Sequence, residues 1–308
     1  MKILITGGAG FIGSQLAIEL LSQFKTARIT ILDNFSSGKI SNLDGITSQI
    51  NLVQSDVRDF NQLLSLMDNT DWVFHLAALT SVSESVNTPM LCHKINNTGT
   101  LNVLWAATQA KVSRVVISSS CSVYGDFHKP PLQENYFPKP KSPYAASKLF
   151  AEVLAESFYH SYGLETICLR YFNVYGANQR ADSDYAAVIP IFVDCYKYNR
   201  QPQIYGDGLQ SRDFVHVSDV AKANVLAAAL AIKILKDNRV FNIGTGNQTN
   251  LLELLNLISK QANYYLEPKF LPSRQGEVQI SCADIRLSQE KMGFQTLVSL
   301  EEGIKSLL

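Results

Sequence analysis

Residues that could do chemistry appear first in a glycine-rich turn near the start of the sequence. Gly8, Gly10 and Gly13 form a G-x-G-x-x-G pattern between a β-branched run and the helix-like stretch FIGSQLAIELL. This spacing allows a tight turn, close approach of the backbone to a pyrophosphate, and close packing of helix on strand. Asp33 ends the next strand-like run, where a carboxylate can accept both hydroxyls of an adenosine ribose. Because that carboxylate repels a 2′-phosphate, the pattern predicts NAD rather than NADP.

The acidic residues near this turn also have simpler interpretations. Asp33 can be a solvated carboxylate beside a turn that serves only packing. Asp56, in QSDVRD at the end of the third strand-like run, can accept from the adenine amine or can be a helix N-cap, where Asp is common. The position of Asp33 after the glycines favours the dinucleotide interpretation.

A second group of reactive side chains lies on a predicted helix. Ser142 and Pro143 are typical of a helix start, and Gly163 is typical of its end. Tyr144 and Lys148 lie four residues apart and therefore on one face. An ammonium near a phenol lowers the phenol pKa, and the positive nicotinamide ring lowers it further, which predicts a base near neutral pH. An exposed tyrosine and a solvated lysine would give the same spacing.

A run of serines, Ser118 to Ser120, ends the fifth strand-like run. Ligands of open α/β sheets bind at the carboxyl edge, where these hydroxyls emerge. We expect one of them to hydrogen-bond a substrate hydroxyl beside Tyr144.

Alternating strands and helices must position these residues. Short apolar, β-branched runs alternate with amphipathic stretches at residues 3–6, 28–32, 50–54, 71–76, 114–118 and 166–170. Apolar residues at consecutive positions indicate strands buried on both faces, so we predict an α/β fold with a doubly wound parallel sheet (Rossmann). We expect an NAD-binding Rossmann domain of residues 1–175 plus about 214–245. A smaller α/β substrate-binding lobe should comprise about 176–213 plus 246–308.

The composition excludes several classes of function. The 308 residues are 46% hydrophobic, and 27 basic residues balance 27 acidic ones, so no bulk basic field would hold a nucleic acid or an anionic membrane. The five dispersed cysteines are interpreted as reduced thiols rather than a structural disulfide. The N-terminal sequence does not resemble a signal peptide, so we expect a cytoplasmic protein. No two histidines are spaced as metal ligands, and no metal is expected.

Taken together, the sequence resembles the extended short-chain dehydrogenase/reductases, and within them the nucleotide-sugar 4-epimerases. The resemblance covers essentially the whole chain. It is carried by motifs in the family's order: TGGAGFIG, LDN, HLAA, NNTGTLNVL, SSSCSVYG, SPYAASK, LRYFNVYG, AAVIP, GDGLQSRDFVHVSDV and RQGEVQISCAD.

The resemblance implies roles for individual residues. Ser120 matches the family's catalytic hydroxyl, Tyr144 its base and Lys148 the helper of that base. The implied cofactor site comprises Gly7, Gly10, Phe11, Ile12, Gly13, Asp33, Asn34, Asp56, Val57, Ala77, Ala78, Asn96, Tyr144, Lys148 and Tyr171. The implied substrate site comprises Ser81, Ser120, Asn173, Val188, Arg212, Arg274, Glu277 and Ser281.

Some of these assignments have structural alternatives. The guanidinium groups of Arg212 and Arg274 suit a diphosphate, but either arginine can instead form a surface ion pair. Asn173 can be a turn residue. Asp213 is interpreted as a structural cap rather than a ligand contact.

The implied reaction is a reversible oxidation at C4 of the sugar. Tyr144 as phenolate removes the C4 hydroxyl proton, Ser120 hydrogen-bonds the same oxygen, and the C4 hydride passes to NAD. The 4-keto sugar turns and receives the hydride on its other face. NAD is regenerated, so we expect it to stay bound as a prosthetic group.

Residues after the catalytic hydroxyl separate the epimerases from related enzymes. Related dehydratases carry an Asp-Glu pair there, and the decarboxylases place a Glu near this point. This sequence has Cys121 and Ser122, neither of which is a strong acid or base at neutral pH. Epimerisation is therefore favoured over both other reactions.

The substrate implied is a UDP-hexose. Plain-hexose enzymes commonly have Tyr at the position of Ser281 and tend to have Lys at that of Thr80, and AAVIP (186–190) also resembles the N-acetyl-accepting subgroup. A small Ser281 leaves room for a 2-acetamido group, unless it is an incidental small residue on a strand. We expect epimerisation of UDP-GlcNAc and UDP-GalNAc, and of UDP-Glc and UDP-Gal.

Other functions stay open at this point. They are a UDP-glucuronate or plain UDP-glucose 4-epimerase, a 4-keto-sugar reductase on the same fold, and a catalytically silent NAD-binding or RNA-binding protein. A homodimer is expected from the family. The helix that starts at Tyr144, with apolar Phe150 and Val153, can supply the interface, or the same face can be core.

Overall fold

The alternation of strands and helices is present in the computed structural model, which describes residues 1–180, 187–235, 238–273 and 278–308. The strands are β1 (Lys2–Thr6), β2 (Arg28–Asp33), β3 (Ile50–Gln54), β4 (Trp72–His75), β5 (Arg114–Ser120), β6 (Thr166–Tyr171), β7 (Asn173–Tyr175), β8 (Gln203–Tyr205), β9 (Ser211–Arg212), β10 (Phe214–His216), β11 (Val240–Ile243), β12 (Thr249–Asn250) and β13 (Lys269–Leu271). The α-helices are α1 (Phe11–Gln23), α2 (Phe60–Leu66), α3 (Val82–Asn87), α4 (Pro89–Cys92), α5 (Gly99–Gln109), α6 (Pro143–Tyr162), α7 (Val188–Lys197), α8 (Val217–Ala229), α9 (Leu251–Ala262), α10 (Arg286–Met292) and α11 (Leu300–Lys305). Short 3-10 helices cover Ile40–Leu43, Thr47–Gln49, Cys121–Tyr124 and Ile232–Ile234, and a π-helix covers His93–Thr98.

Within the described ranges, seven parallel strands form the central sheet, in the order β3-β2-β1-β4-β5-β6-β11. Every strand predicted in the first half of the chain is present, and β4 is one residue shorter at each end than the predicted run 71–76. This order is that of a doubly wound sheet, which confirms the predicted fold class. The strand order reverses between β1 and β4, and ligands of such folds bind outside the carboxyl ends of the strands at that point.

Helices cover both faces of the sheet because its strands are apolar on both faces. On one face, Leu16 and Leu20 of α1 pack with Val220 of α8. On the other, Val103 of α5 packs with Ala155 of α6. All five side chains are at most 2% exposed, and burying one Leu or Val stabilises a fold by about 1.5–3 kcal/mol. The two layers hold the carboxyl edge of the sheet rigid.

A third apolar cluster lies among the shorter elements of the second half. α7, α9 and α11 contribute Phe192, Leu254 and Ile304 to it. Two-stranded pairings accompany it, between β7 and β10, β8 and β13, and β9 and β12. The cluster joins residues from both segments of the predicted substrate-binding lobe, and the lobe boundaries themselves stay a prediction.

Candidate functional site

A cleft of about 1360 Å³ follows the carboxyl edge of the sheet. Consecutive strands contribute to it with Gly7 after β1, Asp33 of β2, Leu76 after β4, Ser120 of β5 and Tyr171 of β6. The structure brings most of the predicted site residues into its wall: Gly7, Gly10, Phe11, Ile12, Gly13, Asp33, Asn34, Asp56, Val57, Ala77, Ala78, Ser81, Ser120, Tyr144, Lys148, Tyr171, Asn173, Val188 and Arg212.

The glycine turn has no room for side chains. Gly7 has φ +71°, and a Cβ on it would lie 2.6 Å from Ala77 N. A Cβ on Gly13 would lie 2.3 Å from the carbonyl oxygen of Gly7. α1 starts after Gly10 without a side-chain cap, so the amide groups of its first turn lack that partner at the cleft wall. A bare backbone turn at a helix N-terminus fits a pyrophosphate.

Asp33 is oriented by the backbone on both sides of it. Its carboxylate accepts from Ala9 N at 2.9 Å and from Phe35 N at 2.8 Å. Burial raises the pKa of this carboxyl, and the two amide hydrogen bonds act in the opposite direction. The side chain therefore joins the glycine turn to the end of β2, as a residue that holds a ribose should.

Asp56 is paired rather than used as a cap. Arg58 donates to both of its carboxylate oxygens at 2.8 Å, and Asn34 donates at 2.7 Å. The hydrogen bond from Arg58 is the main reason that the pKa of Asp56 falls to about 2. The N-cap of α2 is Asp59, whose side chain accepts from Gln62 N at 3.1 Å, so the helix-cap interpretation of Asp56 is wrong.

The predicted reactive helix is α6, and its ends are those expected. Ser142 Oγ accepts from Ala145 N at 3.1 Å, and Gly163 ends the helix with φ +70°. Lys148 Nζ lies 5.9 Å from the ring centroid of Tyr144. The Tyr144 phenol lies close enough to Ser120 for the serine hydroxyl to lower its pKa. The three predicted catalytic side chains thus meet in the cleft.

Burial dominates the acidity of the Tyr144 phenol. Burial raises the pKa of Tyr144 to about 12, and the hydrogen bond to Ser120 only partly offsets this. Burial also lowers the pKa of Lys148 to about 8. The expected base near neutral pH includes the positive charge of a bound nicotinamide ring, and it stays a prediction.

A buried ion pair behind the site was not predicted. Arg170 of β6 donates to both oxygens of Glu152, at 2.8 and 2.7 Å, and Ser119 donates to the same carboxylate. Glu152 lies two turns after Tyr144 on α6. Its spacing from Tyr144 and Lys148 was the feature of the sequence that could have indicated a position on the same helix face. The pair connects α6 to β5 and β6.

Two further buried polar residues have structural partners, as the sequence suggested for Asp213. Asp213 accepts from the amides of Thr245 at 2.7 Å and Ala283 at 3.1 Å. His75 Nδ1 lies 2.8 Å from Thr6 Oγ1, and burial lowers the pKa of this imidazole to about 3.

Asn96 and Ser281 are absent from the cleft wall as far as the chain is described. The amide of Asn96 instead binds both backbone groups of Leu79, at 2.7 and 3.0 Å. Ser281 is 7% exposed and lies near enough to Cys121, which does line the cleft, to lower the pKa of its thiol. Arg274 and Glu277 lie outside the described residues.

Two predicted substrate contacts carry groups suited to a ligand. Arg212 lines the cleft with Nη1 donating to the carbonyl of Ser211 at 2.9 Å. The side-chain oxygen of Asn173 is buried and has no hydrogen-bond partner among the described residues. An acceptor of this kind suits a donor on a bound ligand.

Neither a metal site nor a membrane-spanning helix is found among the described residues. No three His, Cys, Asp or Glu side chains come together there as metal ligands. Across the same ranges, no helix has both the length and the apolar character that a bilayer crossing demands.

Comparison with known proteins identifies the family of the chain. The profile of the NAD dependent epimerase/dehydratase family matches residues 3–244. The chain is 36% identical to the UDP-glucose 4-epimerase of Mycolicibacterium smegmatis, over 99% of this chain and 96% of that protein. A UDP-N-acetylglucosamine 4-epimerase from Methanobrevibacter ruminantium, solved with UDP-N-acetylmuramic acid, superimposes with a TM-score of 0.94 at 37% identity, covering 99% of this chain and 96% of the other.

A second solved structure is similarly close. The UDP-glucose 4-epimerase of Thermotoga maritima, solved with UDP-glucose, has a TM-score of 0.93 and 37% identity, with 100% of this chain and 97% of that chain covered. The expected family, fold class and cofactor, NAD, are thereby confirmed. The chain belongs to the NAD-dependent epimerase/dehydratase family.

Proposed function

We propose that this protein is an NAD-dependent isomerase that epimerises UDP-hexoses reversibly at C4, with UDP-GlcNAc and UDP-GalNAc as well as UDP-Glc and UDP-Gal as substrates. The presence of Tyr144, Ser120 and Lys148 together in one cleft at the carboxyl edge of the sheet carries the proposal. The relatives named above support it, since their names describe UDP-sugar 4-epimerases.

Three residues of the site have different roles in the proton transfer. Tyr144 takes the proton of the C4 hydroxyl and returns it, while Ser120 holds the same oxygen by a hydrogen bond. Bound NAD, held by the glycine turn and Asp33, would supply the acceptor for the C4 hydride and the source of its return. Lys148, held under the phenol ring, keeps a positive charge near the developing phenolate.

The phenol pKa of about 12 has a consequence for the order of events. Tyr144 is neutral in the ligand-free cleft at pH 7, and each positive charge added near it lowers its pKa. We therefore propose that binding of the cofactor lowers the pKa of Tyr144 so that it can act as a base, and that Lys148 by itself does not lower it enough.

The cofactor cradle consists of the glycine turn and Asp33. The bare amides at the start of α1 would hold the pyrophosphate, and Asp33 would accept from the adenosine ribose. Asn34, Asp56 and Val57 line the adjoining wall, at the end proposed for the adenine.

The nucleotide-sugar half of the cleft carries different groups. Arg212 would bind the diphosphate, and the unpartnered oxygen of Asn173 would accept from the substrate. Ser81 and Val188 line the same cleft. Arg274 and Glu277 keep the substrate roles that the resemblance implies.

The residues after Ser120 support epimerisation over elimination or decarboxylation. Burial raises the pKa of the Cys121 thiol to about 11, so it is neither a good acid nor a thiolate at pH 7. Cys121, which lines the cleft, and Ser281, which lies behind it, are both small. A small wall at this point leaves room for a 2-acetamido group, which supports the N-acetylated substrates.

We further propose a homodimer formed through the outer faces of α5 and α6. Exposed apolar side chains on these helices include Leu101, Trp105, Phe150 and Val153, the last 62% exposed. Exposed apolar side chains of this size on two neighbouring helices favour association. The cytoplasmic location and the absence of a nucleic-acid partner stay predictions.

The test of the proposed function is a proton NMR assay of purified protein without added NAD, on UDP-GlcNAc and UDP-Glc separately. We expect both to convert to their C4 epimers, because NAD is retained. Conversion of UDP-Glc alone would contradict the N-acetyl specificity. Conversion of neither would contradict the epimerase, and consumption of added NADH with a 4-keto sugar would then identify a reductase.

A further inference from the structure

The backbone of Tyr144 is held by side chains from another part of the chain. Its N–H donates to Ser85 Oγ at 3.1 Å. Its carbonyl accepts from Ser147 Oγ at 2.7 Å, and Ser147 Oγ accepts from Asn96 Nδ2 at 2.9 Å. Both polar groups of this one peptide segment are thus connected to residues between positions 85 and 96.

The hydroxyl of Ser85 is both a hydrogen-bond donor and a hydrogen-bond acceptor. The residue lies on α3 and is 0% exposed. Its Oγ donates to the carbonyl of Val82 at 2.6 Å, which leaves lone pairs for the N–H of Tyr144. The hydroxyl therefore has a fixed direction, and the Tyr144 amide is fixed with it.

The start of α6 shows why this bond matters. Pro143 has no N–H, Ser142 Oγ accepts from Ala145, and Ala146 N bonds the carbonyl of Ser142 at 2.9 Å. None of these hydrogen bonds uses the N–H of Tyr144. A buried amide without a partner is destabilising. In the described structure Ser85 is its partner.

The segment that carries Ser85 is also a wall of the cleft. Leu79, Thr80, Ser81 and Glu84 all line it. Asn96 holds the beginning of this segment through Leu79. A ligand that contacts residues 79–84 is therefore connected to the Tyr144 backbone by a short path of hydrogen bonds.

We propose that Ser85 is a positioning residue for Tyr144, whose hydroxyl fixes the start of α6 so that the phenol meets Ser120 and the C4 oxygen of the substrate. The inference rests on the proposed function for its kinetic consequence. Ser85 touches neither substrate nor cofactor in this account, and it acts through the Tyr144 amide.

The test compares Ser85→Ala and Ser85→Cys with Ser142→Ala. Cys fills the volume of Ser but its sulfur is a weak acceptor, so it reports on the hydrogen bond if Ala also perturbs folding. Ser142→Ala removes the other side-chain cap of the same helix without touching the Tyr144 amide. We expect both Ser85 variants to lose kcat by on the order of ten- to a hundredfold with KM unchanged, because a small misplacement of a reacting group has effects of this size. Ser142→Ala should retain the kcat of the wild type.

A second readout does not need catalysis. Protein labelled with ¹³C at tyrosine Cζ gives a resonance for Tyr144, assigned with Tyr144→Phe. We expect this resonance to shift in both Ser85 variants and to stay in place in Ser142→Ala. An unmoved resonance, or a kcat equal to that of Ser142→Ala, would overturn the proposal. A wild type that epimerises no UDP-hexose would contradict the proposed function instead, and the resonance would then decide the positioning role by itself.

Discussion

Lys148 Nζ donates to both oxygens of Ser118, to the carbonyl at 2.9 Å and to Oγ at 3.1 Å. The ammonium is therefore anchored to β5 rather than directly to the phenol of Tyr144. Two residues further along β5, Ser120 lines the cleft beside the phenol and lowers its pKa. One strand end thus positions both groups of the reactive helix.

The anchoring of Lys148 predicts a pH-dependent stability. Burial lowers the pKa of Lys148 from 10.5 to about 8 in the folded protein. Between these values the unfolded chain binds this proton and the folded chain does not, so the contribution of Lys148 to stability rises with pH. The free energy of unfolding of the wild type should rise relative to Lys148→Met by up to about 3 kcal/mol from pH 8 to 10.5. Urea titrations at each pH measure this, and parallel curves for the two proteins would refute it.

Removing the phenol hydroxyl should separate catalysis from cofactor binding. In Tyr144→Phe we expect turnover to be abolished while NAD stays bound, because the glycine turn and Asp33 are untouched. NMR kinetics and the NAD content of the denatured protein are the two measurements. Substantial residual turnover would contradict the role of Tyr144 as base.

Substrate breadth should respond to the size of the residue beside Cys121. Ser281→Tyr is expected to remove activity on UDP-GlcNAc while largely keeping activity on UDP-Glc, because the larger ring closes the space for the acetamido group. Ser281→Ala is the matched control and should keep both activities. Equal loss on the two sugars in Ser281→Tyr would show that this position does not select between them.

The ion pair behind the site should matter for folding. Glu152→Gln leaves the buried Arg170 without its charge partner, and breaking such a pair typically destabilises by about 3–5 kcal/mol. Glu156→Gln, on the exposed side of the same helix, changes a surface contact with His160 and should cost less than about 1 kcal/mol. Thermal or urea unfolding of both variants measures the difference. Similar stability of the two would mean that the pair does not stabilise α6 against the sheet.

Local signals explain what could be predicted from the sequence. The glycine turn, the strands, the capped start of α6 and the spacing of Tyr144 and Lys148 each depend on neighbouring residues, and each is found where expected. The place of Asn96 behind the cleft, the pairing of Glu152 with Arg170 and the bond from Ser85 to Tyr144 join residues far apart in sequence. The phenol pKa of Tyr144 depends on burial, which only the packed structure reveals.

The most direct test of the central claim follows the hydrogen on C4. Incubation of the protein with UDP-hexose deuterated at C4, in ordinary water and without added NAD, should give the C4 epimer with deuterium retained at C4. Retention is expected because the hydrogen leaves and returns within one site. An epimer that carries a solvent proton at C4, or a failure to form the epimer, would contradict reversible oxidation at this carbon.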